Sequence, residues 1–475
     1  MRLANRLADS GVVGDRLTEK CGVFGVYCPG AEAARLTYYG LWALQHRGQE
    51  SSGIVSTNGQ NLYDHIRSGL VAHAYADEDF DYLQGHLAIG HNRYATSGGA
   101  RECHSQPVIG PNKTFAFSHN GNLPTTTELE AFLASHNVAT DDLNDSEMMA
   151  AAIKYYTDQG LSLEQAVAAA YPLFQGAFSC LVMDRHKMVA FRDECGIRPL
   201  SIGTLDGGWV VSSETCAFDT IGAAYLRDVR PGEMVVIDAS GLKTHKLAAA
   251  RPKLDIFEFV YFARPDSFIM RRRVNEVRRK MGVNLAREHA LKADVVVAVP
   301  DSAIPAALGY AQASGIRFDH GLIKNRYIHR TFIRPTQSLR ERDVKMKLNP
   351  LPEALMGKRV IVVDDSIVRG TTTKQIVQMM YGAGAKEVHL LVSSPPVKFP
   401  DFYGINTPRQ ADLIAARLGI GQIRDEVGAD SLGYLSYDGM IAATGRSAKN
   451  FSTACFDGVY PINIAERANE VLQVA

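Results

Sequence analysis

The sequence of 475 residues predicts two folding units, an α+β unit over residues 21–250 and an α/β unit with a mainly parallel sheet over residues 251–475. In the first unit, strand-like segments cluster before and after a block of helical patterns, as in layered α+β folds. In the second unit, strands and helices alternate, which indicates βαβ units. Between these two patterns lies KLAAARPKLDIFEF, residues 246–259, which predicts the crossing between the units.

The elements of the first unit follow from apolar periodicity and turn residues. A helix is predicted in EAARLTYYGLWALQHRG, and a hairpin turn is predicted at Asn58-Gly59. Strands are predicted in LAIGHNRYATSG and FAFSHNGNL, before the helical block. The helical block covers residues 124–137, 145–160 and 162–176, and paired strands follow at 177–193, 199–215 and 233–247.

The elements of the second unit alternate along the chain. Helices are predicted at residues 274–290, 303–315 and 371–384, and strands at 294–300, 359–365 and 387–394. Ligands of parallel α/β sheets bind at the carboxyl ends of the strands. We therefore expect functional motifs directly after the strands that end near residues 300 and 365.

Composition excludes several classes of function. Lys plus Arg equals Asp plus Glu, at 51 each, so no overall field favours nucleic acid or a membrane surface as a partner. The leader, residues 1–20, lacks the apolar core of a secretory signal, and no apolar run reaches the about 20 residues that span a bilayer. A cytoplasmic protein is expected. The seven cysteines form no Cys-x-x-Cys pair, so most are predicted to be buried small apolar residues and one could be a nucleophile.

The segment RVIVVDDSIVRGTTTKQIV, residues 359–377, predicts a site for a phosphorylated sugar. Loop amides, threonine hydroxyls and a helix start after Gly370 can hold a phosphate. The carboxylates of Asp364 and Asp365 would repel that phosphate unless they contact sugar hydroxyls or act through a divalent cation. An ordinary strand-to-helix turn with an Asp N-cap is the structural alternative. The sequence has no Walker A pattern and no Gly-x-Gly-x-x-Gly.

This segment resembles the motif of type I phosphoribosyltransferases that binds phosphoribosyl pyrophosphate (PRPP). The resemblance implies that Asp364 and Asp365 contact the ribose hydroxyls, and that AVPDSAIPAALGYA, residues 298–311, contains the pyrophosphate loop. It also implies a Mg²⁺ ion that enters with PRPP near Ser302, Asp364 and Asp365. The residues implied to hold the 5′-phosphate are Ser366, Ile367, Val368, Arg369, Gly370, Thr371 and Thr372.

The segment KNRYIHRTFIRPTQSLRERDVKMK, residues 324–347, carries eight Lys or Arg. Charge alone would favour a solvated basic face or an RNA patch. Its position between the two PRPP motifs favours a lid that closes over the departing pyrophosphate and excludes water. Lys324, Arg326, Arg342 and Lys345 are the candidates for PRPP contact.

Five motifs of the first unit, CGVFGV, LQHRGQESSGI, GHNRYATSG, SHNGNL and NDSE, resemble those of class II glutamine amidotransferases in order and spacing. These proteins are N-terminal nucleophile hydrolases with a four-layer sandwich fold. The resemblance implies that cleavage of the Lys20-Cys21 bond makes Cys21 the nucleophile and its own α-amine, with a pKa of about 7.7–8.0, the base. It further implies an oxyanion hole from Asn120 and Gly121, with glutamine bound by Arg93 and Asp145 and the pocket supported by Thr96 and Arg47.

Taken together, residues 21–475 resemble the family of glutamine-dependent PRPP amidotransferases, in which ammonia from glutamine replaces the pyrophosphate of PRPP. Residues 21–250 would be the glutaminase domain, and residues 251–475 a phosphoribosyltransferase domain with a C-terminal extension. The resemblance implies purine-nucleotide feedback inhibitors, a homotetramer or homodimer, and an internal ammonia channel. The aromatic segment FEFVYFARPDS, residues 257–267, suits either channel lining or interdomain core packing.

The sequence departs from one branch of that family, which binds a [4Fe-4S] cluster with four cysteines. The matching positions here are Asp255, Asp401, Ser452 and Cys455. Such clusters are held by thiolates, so no iron–sulfur cluster is expected. Two alternatives stay open: a PRPP-sensing regulator without catalysis, and an amidotransferase with another acceptor.

Overall fold

The computed structural model describes residues 18–19, 21–93, 104–325, 347–407 and 409–471. Lys20 and residues 1–17 of the predicted leader lie outside the described residues, as do Thr96, Arg326, Arg342 and Lys345.

The strands of the amino-terminal unit begin within the predicted leader. They are β1 (Thr18–Glu19), β2 (Cys21–Tyr27), β3 (Ser51–Thr57), β4 (Leu62–Ser68), β5 (Leu87–Arg93), β6 (Val108–Ile109), β7 (Ala116–Asn122), β8 (Ala177–Met183), β9 (Met188–Arg192), β10 (Ser201–Leu205), β11 (Gly208–Ser212), β12 (Ala224–Asp228), β13 (Glu233–Asp238) and β14 (Gly241–Lys246). Its helices are α1 (Ala33–Ala43), α2 (Val71–Ala74), α3 (Asp77–Tyr82), α4 (Thr127–Ser135), α5 (Asp145–Asp158), α6 (Leu163–Ala170) and α7 (Cys216–Ile221).

These elements form four layers. Among the described residues, one antiparallel sheet has the order β12-β10-β11-β2-β5-β3-β4 and the other the order β14-β13-β9-β8-β7-β6. Val23, Leu181 and Val235 belong to the apolar core between the two sheets. Phe24 and Leu41 belong to a core that α1 forms on the outer face of the first sheet, and Met149 belongs to the core that α4–α6 form on the second. The predicted four-layer sandwich is therefore confirmed.

The carboxy-terminal unit starts at the predicted crossing. Its strands are β15 (Leu254–Asp255), β16 (Phe268–Ile269), β17 (Arg272–Arg273), β18 (Val295–Ala298), β19 (Leu322–Lys324), β20 (Leu348–Pro350), β21 (Arg359–Asp364), β22 (Glu387–Val392), β23 (Ile405–Asn406), β24 (Ser431–Tyr434) and β25 (Phe451–Ser452). Its helices are α8 (Val274–Glu288), α9 (Ile304–Ser314), α10 (Pro352–Leu355), α11 (Thr371–Gly382), α12 (Ile414–Arg417), α13 (Ile420–Val427), α14 (Tyr437–Thr444) and α15 (Ala454–Asp457), with a π-helix at Glu258–Phe262.

The central sheet of this unit is parallel, as predicted. Within the described residues its order is β18-β21-β22-β24, and Val296 and Leu390 pair with β21 at Ile361 and Val362. All the residues of β18 are buried, because helices cover both faces. The carboxyl ends of β18 and β21 lie side by side, so the loops that follow them meet at one edge of the sheet.

The two units contact each other through β15, the π-helix and the loop before β23. The Asp255 backbone N–H donates to Ile197 O of the amino-terminal unit at 3.1 Å. Strand β15, which contains Asp255, also pairs in parallel with β25 of its own unit. Asn122 Nδ2, at the end of β7, donates to the Phe402 carbonyl at 2.8 Å. Strand β1, within the predicted leader, pairs antiparallel with β23, so the backbone at Thr18–Glu19 lies against the carboxy-terminal unit.

The sequence patterns missed the short and irregular elements. They include α2, α3, α7, β12, β24, α13 and α14. No helix in the described part of the chain is long and apolar enough to cross a membrane.

Candidate active sites

The candidate nucleophile lies at the start of a buried strand. Cys21 is the first residue of β2 and pairs with Arg93, the last residue of β5. Cys21 is buried, with 8% of its surface exposed to solvent. Burial raises the pKa of the thiols of Cys28, Cys180, Cys195, Cys216 and Cys455, which therefore suit apolar packing.

The candidate oxyanion residues lie on β7, in the facing sheet. Asn120 is buried, and its Nδ2 donates to Ser213 Oγ at 3.2 Å. The same hydroxyl accepts the backbone N–H of Val23 at 3.0 Å, two residues after Cys21. Ser213 thus fixes Asn120 relative to the strand of the candidate nucleophile.

Gly121 has a conformation that favours glycine. Its φ is +153°, and a Cβ at this position would lie 1.9 Å from the Ala177 carbonyl oxygen. Any other residue would have to displace β8, which pairs with β7 here. The backbone of Gly121 therefore has a conformation and a close packing against β8 that a residue with a side chain would disturb.

The predicted glutamine-binding residues are Arg93 and Asp145. Arg93 ends β5 and pairs with Cys21, whereas Asp145 lies near the end of β7. Asp145 is the first residue of α5, where Asn144 caps the helix by accepting the Glu147 N–H at 2.9 Å. Asp145 Oδ2 accepts the Leu123 N–H at 3.2 Å, which places the carboxylate just past Gly121. The Asp145 side chain remains 23% exposed, so it can also accept an amine.

Arg47 lies inside a buried ion network. Its Nη2 donates to Glu258 Oε2 at 2.6 Å, and its Nε donates to Glu214 Oε1. Burial alone would lower the pKa of Arg47, but these carboxylates hold it above its ordinary value. With no exposed side-chain surface, Arg47 suits the predicted supporting role and not direct contact with substrate.

The candidate PRPP residues meet at the edge formed by β18 and β21. Asp364 and Asp365 are both buried, and Ser302 Oγ, in the loop after β18, donates to Asp365 Oδ2 at 2.5 Å. Ser366 Oγ donates to Asp365 Oδ1 at 2.7 Å. The predicted ribose and pyrophosphate loops therefore lie in contact.

The predicted phosphate loop leads into α11. Gly370 caps the helix with φ +87°, a left-handed conformation that a side chain disfavours. Thr371 and Thr372 in the first turn keep exposed surface, whereas the Ile367 and Val368 side chains are buried. Only the backbone groups of Ile367 and Val368 can therefore contact a phosphate. Lys324 is the one lid candidate among the described residues; its Nζ donates to Asp301 Oδ2 at 2.8 Å and so reaches the predicted pyrophosphate loop.

The oxygen atoms of Ser302, Asp364 and Asp365 fit a Mg²⁺ ion, which prefers carboxylate, hydroxyl and water ligands. Within the described ranges, no group of three or more His, Cys, Asp or Glu side chains forms a ready metal site. That finding is compatible with a site of two carboxylates and a hydroxyl that a substrate phosphate completes.

The four positions of the iron–sulfur branch do not fit a cluster. Asp255 Oδ2 is 3.1 Å from Arg198 Nη1, and Asp401 Oδ1 accepts the N–H groups of Tyr403 and Ile405 at 2.7 and 3.1 Å. Burial raises the pKa of the Cys455 thiol well above its usual range, and Asp401 and Asp255 add to the rise. A cluster needs four thiolates, and these positions offer two carboxyl groups, a hydroxyl and one thiol.

Most of the aromatic rings predicted to line a channel or fill a core belong to the core. Phe257, Phe259 and Phe262 pack in the apolar cluster of the carboxy-terminal unit. Tyr261 is only partly buried.

Sequence reasoning missed two residues next to these sites, Ser213 and Glu214. They follow β11 in the segment VVSSET, where two serines and a glutamate after an apolar strand could have signalled a polar site. The Glu214 carboxylate binds Arg47 and His46 and also accepts the Ser267 hydroxyl at 2.5 Å, across the boundary between the units.

Comparisons with known proteins find relatives for both units of the chain. Residues 91–220 match the model of the glutamine amidotransferase domain, and residues 273–394 match that of the phosphoribosyl transferase domain. The chain is 48% identical to an amidophosphoribosyltransferase of Synechococcus elongatus, over 95% of this chain and 93% of that protein. It is 44% identical to the Bacillus subtilis amidophosphoribosyltransferase, over 94% and 95% of the two chains. A solved structure of the B. subtilis enzyme complexed with ADP and GMP has a TM-score of 0.87 at 43% identity, and covers 94% of this chain and 98% of that chain.

Proposed function

The chain belongs to the amidophosphoribosyltransferase family, and from this membership we propose that it converts glutamine, PRPP and water to 5-phosphoribosylamine, glutamate and pyrophosphate. This reaction is the first committed step of purine synthesis. In the proposal, residues 21–250 form the glutaminase domain, residues 251–475 form the phosphoribosyltransferase domain with its extension, and residues 1–20 are a leader that is removed. One observation carries it: a single chain holds Asn120 joined through Ser213 to Val23, two residues after Cys21, and Asp365 hydrogen-bonded to Ser302.

The glutaminase step uses Cys21. Once the leader is removed, the α-amine takes the thiol proton and the thiolate attacks the side-chain amide carbon of glutamine. The C–N bond breaks, ammonia leaves with that proton, and a γ-glutamyl thioester remains on Cys21. Water then hydrolyses the thioester, which releases glutamate and restores the thiol.

Asn120 and Gly121 stabilise the negative charge on the amide oxygen in this step. An asparagine amide has two N–H donors, so Asn120 can bind Ser213 and still donate to the oxyanion. Arg93 binds the α-carboxylate of glutamine and Asp145 binds its α-amine, with Arg47 and Thr96 as supports. The opposite charges of Arg93 and Asp145 match those of a free amino acid.

The transfer step takes place at Asp364 and Asp365. These carboxylates accept the ribose hydroxyls, and residues 366–372 bind the 5′-phosphate, which orients C1 of the ribose. Ammonia forms the C1–N bond as the C1–O bond to pyrophosphate breaks. Lys324, with Arg326, Arg342 and Lys345, neutralises the departing pyrophosphate. When bound at Ser302, Asp364 and Asp365, Mg²⁺ supplies further positive charge to the pyrophosphate oxygens.

Ammonia reaches C1 through an internal channel, because ammonium forms readily in bulk water at neutral pH and is not a nucleophile. The direct contact between the two units at Asn122 and Phe402 supports this proposal. Tyr261, which is only partly buried at the junction, is the ring best suited to the channel wall.

The proposed function is tested by comparing two nitrogen donors. We expect the processed chain to form 5-phosphoribosylamine from PRPP with either glutamine or ammonia, and PRPP to stimulate glutaminase activity. A Cys21→Ala variant should lose the glutamine reaction and keep the ammonia reaction. A chain that binds PRPP but uses neither donor would instead be a regulator, and a glutaminase indifferent to PRPP would serve another acceptor.

The finer properties are also part of the proposal. We expect a cytoplasmic homotetramer or homodimer that requires Mg²⁺ and contains no [4Fe-4S] cluster. Purine nucleotides should inhibit it, in keeping with the ADP and GMP bound in the similar B. subtilis structure. Absorbance near 400 nm in anaerobically purified protein, about where Fe–S charge transfer falls, would contradict the absence of a cluster.

A further inference from the structure

A chain of buried polar contacts leads from the candidate nucleophile to the domain junction. Arg47 packs against Gly22, the neighbour of Cys21: a Cβ on Gly22 would lie 3.4 Å from Arg47 Cβ and 3.5 Å from Arg47 Cδ. The Arg47 guanidinium is held by Glu214 on one side and by Glu258 on the other. Glu258 is 211 residues from Arg47 in sequence and is fully buried.

Glu258 is the first residue of the π-helix at the junction. Its Oε1 also lies 2.9 Å from Arg198 Nη2, so its carboxylate joins two arginines of the amino-terminal unit. A π-helix is uncommon and is found frequently at functional sites. The carboxylate can therefore transmit a shift of this π-helix to Arg47 and to the backbone beside Cys21.

The other end of the π-helix is held by the carboxy-terminal unit. Arg278 of α8 is buried, and its Nε and Nη2 donate to the carbonyls of Phe259 and Ala263, both at 2.8 Å. Burial lowers the pKa of Arg278 to about 10, and the Asp365 carboxylate acts in the opposite direction. The predicted phosphate loop also reaches this region, because Val368, three residues after Asp365, belongs to the same apolar cluster as Phe259 of the π-helix and Val277 of α8.

We propose that Glu258 is a positioning residue through which PRPP at Asp365 sets the orientation of the glutaminase site. The inference rests on the proposed function, and it adds a route between the two sites: the segment from Asp365 to Val368, the π-helix held by Arg278, Glu258 and Arg47. A buried ion pair is weak evidence for a stabilising role, since desolvation can cancel the attraction between its charges. The route begins at Asp365 and ends beside Cys21, which favours a role for Glu258 in coupling the two sites.

A Glu258→Gln variant tests the route. The substitution keeps the side-chain volume, and Arg47 and Arg198 keep their other partners, Glu214 and Asp255. The measured quantity is the ratio of glutaminase rates with and without PRPP, alongside the PRPP reaction with ammonia. We expect the ratio to fall at least about fivefold, the lower end of usual allosteric coupling, and the glutamine KM in the presence of PRPP to rise. The ammonia reaction should stay within about twofold of the parent.

A matched control is Glu233→Gln, which removes a buried carboxylate that binds Arg227 at 2.7 and 3.0 Å within the amino-terminal unit. Its stimulation ratio should equal that of the parent. If Glu258→Gln does not fold, Arg278→Lys replaces it, because lysine keeps the charge but cannot reach both carbonyls.

The outcomes separate this inference from the proposed function. A parent-like ratio in Glu258→Gln, or in Arg278→Lys, overturns the route. Equal losses of the ammonia reaction and of stimulation would also overturn it, since they indicate a general structural role. Failure of the parent chain to use glutamine or ammonia would refute the proposed function itself.

Discussion

At the residue scale, the Ser213 hydroxyl connects the two candidate groups of the glutaminase chemistry. It accepts the Val23 N–H at 3.0 Å and the Asn120 Nδ2 at 3.2 Å, so one oxygen aligns β2 with β7. Ser213 is fully buried, and nothing in its position suggests contact with solvent. Its contribution to catalysis would therefore lie in the placement of Asn120.

We predict that Ser213→Ala lowers kcat/KM for glutamine about 10- to 100-fold, somewhat less than direct loss of an oxyanion donor. The cause is that Asn120 loses its anchor and the Val23 N–H loses its partner. The ammonia reaction should be unchanged. Steady-state kinetics with both nitrogen donors measure the difference.

Ser56→Ala is the matched control, because Ser56 is a buried serine of β3 whose Oγ has no hydrogen-bond partner in the described part of the structure. The Ser56→Ala variant should keep the parent rates with both glutamine and ammonia. A parent-like kcat/KM in Ser213→Ala would show that Asn120 is held without the hydroxyl.

The candidate residues that the sequence predicts and the neighbouring residues that it does not predict differ in how they are placed. Cys21, Asn120, Asp364 and Asp365 lie within short local motifs, so the sequence alone predicts them. Glu214 meets Arg47 across 167 residues, a contact that only the tertiary fold creates. No local spacing predicts such a pair.

At the element scale, the start of α11 depends on Gly370. The residue adopts φ +87°, and a Cβ would lie 2.7 Å from Ile414 Cδ1. Any other residue here would strain the turn that leads the chain from Asp365 into the first turn of the helix. The helix start is the part of this element that the proposed function uses.

We predict that Gly370→Ala raises the KM for PRPP about tenfold, equivalent to the about 1–2 kcal/mol cost of a left-handed alanine. The reason is that relaxation of this strain moves the amides and hydroxyls of Thr371 and Thr372 away from the phosphate. Glutaminase activity without PRPP should not change. PRPP titration in the ammonia reaction provides the measurement.

Gly382→Ala controls for the loss of a glycine in the same helix. Gly382 is the last residue of α11, and a Cβ there would meet nothing within 4 Å. This variant should keep the parent KM. An equal KM in Gly370→Ala would mean that the helix start does not bind the phosphate.

Regular elements were predictable because their apolar patterns repeat over several residues, as in β21 and α11. The π-helix was not predictable, because its identity depends on Glu258 meeting two arginines and on Arg278 holding its carbonyls. Tertiary contacts set such irregular backbone, and a sequence pattern does not contain them.

At the scale of the whole molecule, Asp255 and its neighbours join the two units. The charged groups around Asp255 are Asp401, Arg198 and Glu258. Burial and Asp401 raise the pKa of Asp255 to about 8 from its ordinary 3.8, whereas Arg198 opposes the rise. Between these two pH values the folded chain binds more protons than the unfolded chain, so its stability falls as the pH rises.

We predict that the parent chain loses thermal stability more steeply than Asp255→Asn between about pH 5 and pH 8, by at most about 1.4 kcal/mol per pH unit. Asparagine cannot ionise, so the stability of the variant lacks the pH dependence that Asp255 contributes. Melting temperatures across the pH range measure the difference between the parent and Asp255→Asn. The control is Asp294→Asn, because Asp294 is an exposed partner of Arg359. Parallel curves for the parent and Asp255→Asn would contradict a raised pKa at this junction.

The leader links the carboxy-terminal unit to the proposed chemistry, because β1 pairs with β23 just before Cys21. While the Lys20-Cys21 bond is intact, the Cys21 nitrogen is an amide and cannot accept the thiol proton. We predict that glutamine-dependent activity rises in proportion to the fraction of chains that begin at Cys21, as determined by intact mass. The ammonia reaction should be independent of that fraction and so serves as the internal control. Full glutaminase activity in chains that retain residues 1–20 would show that another group is the base.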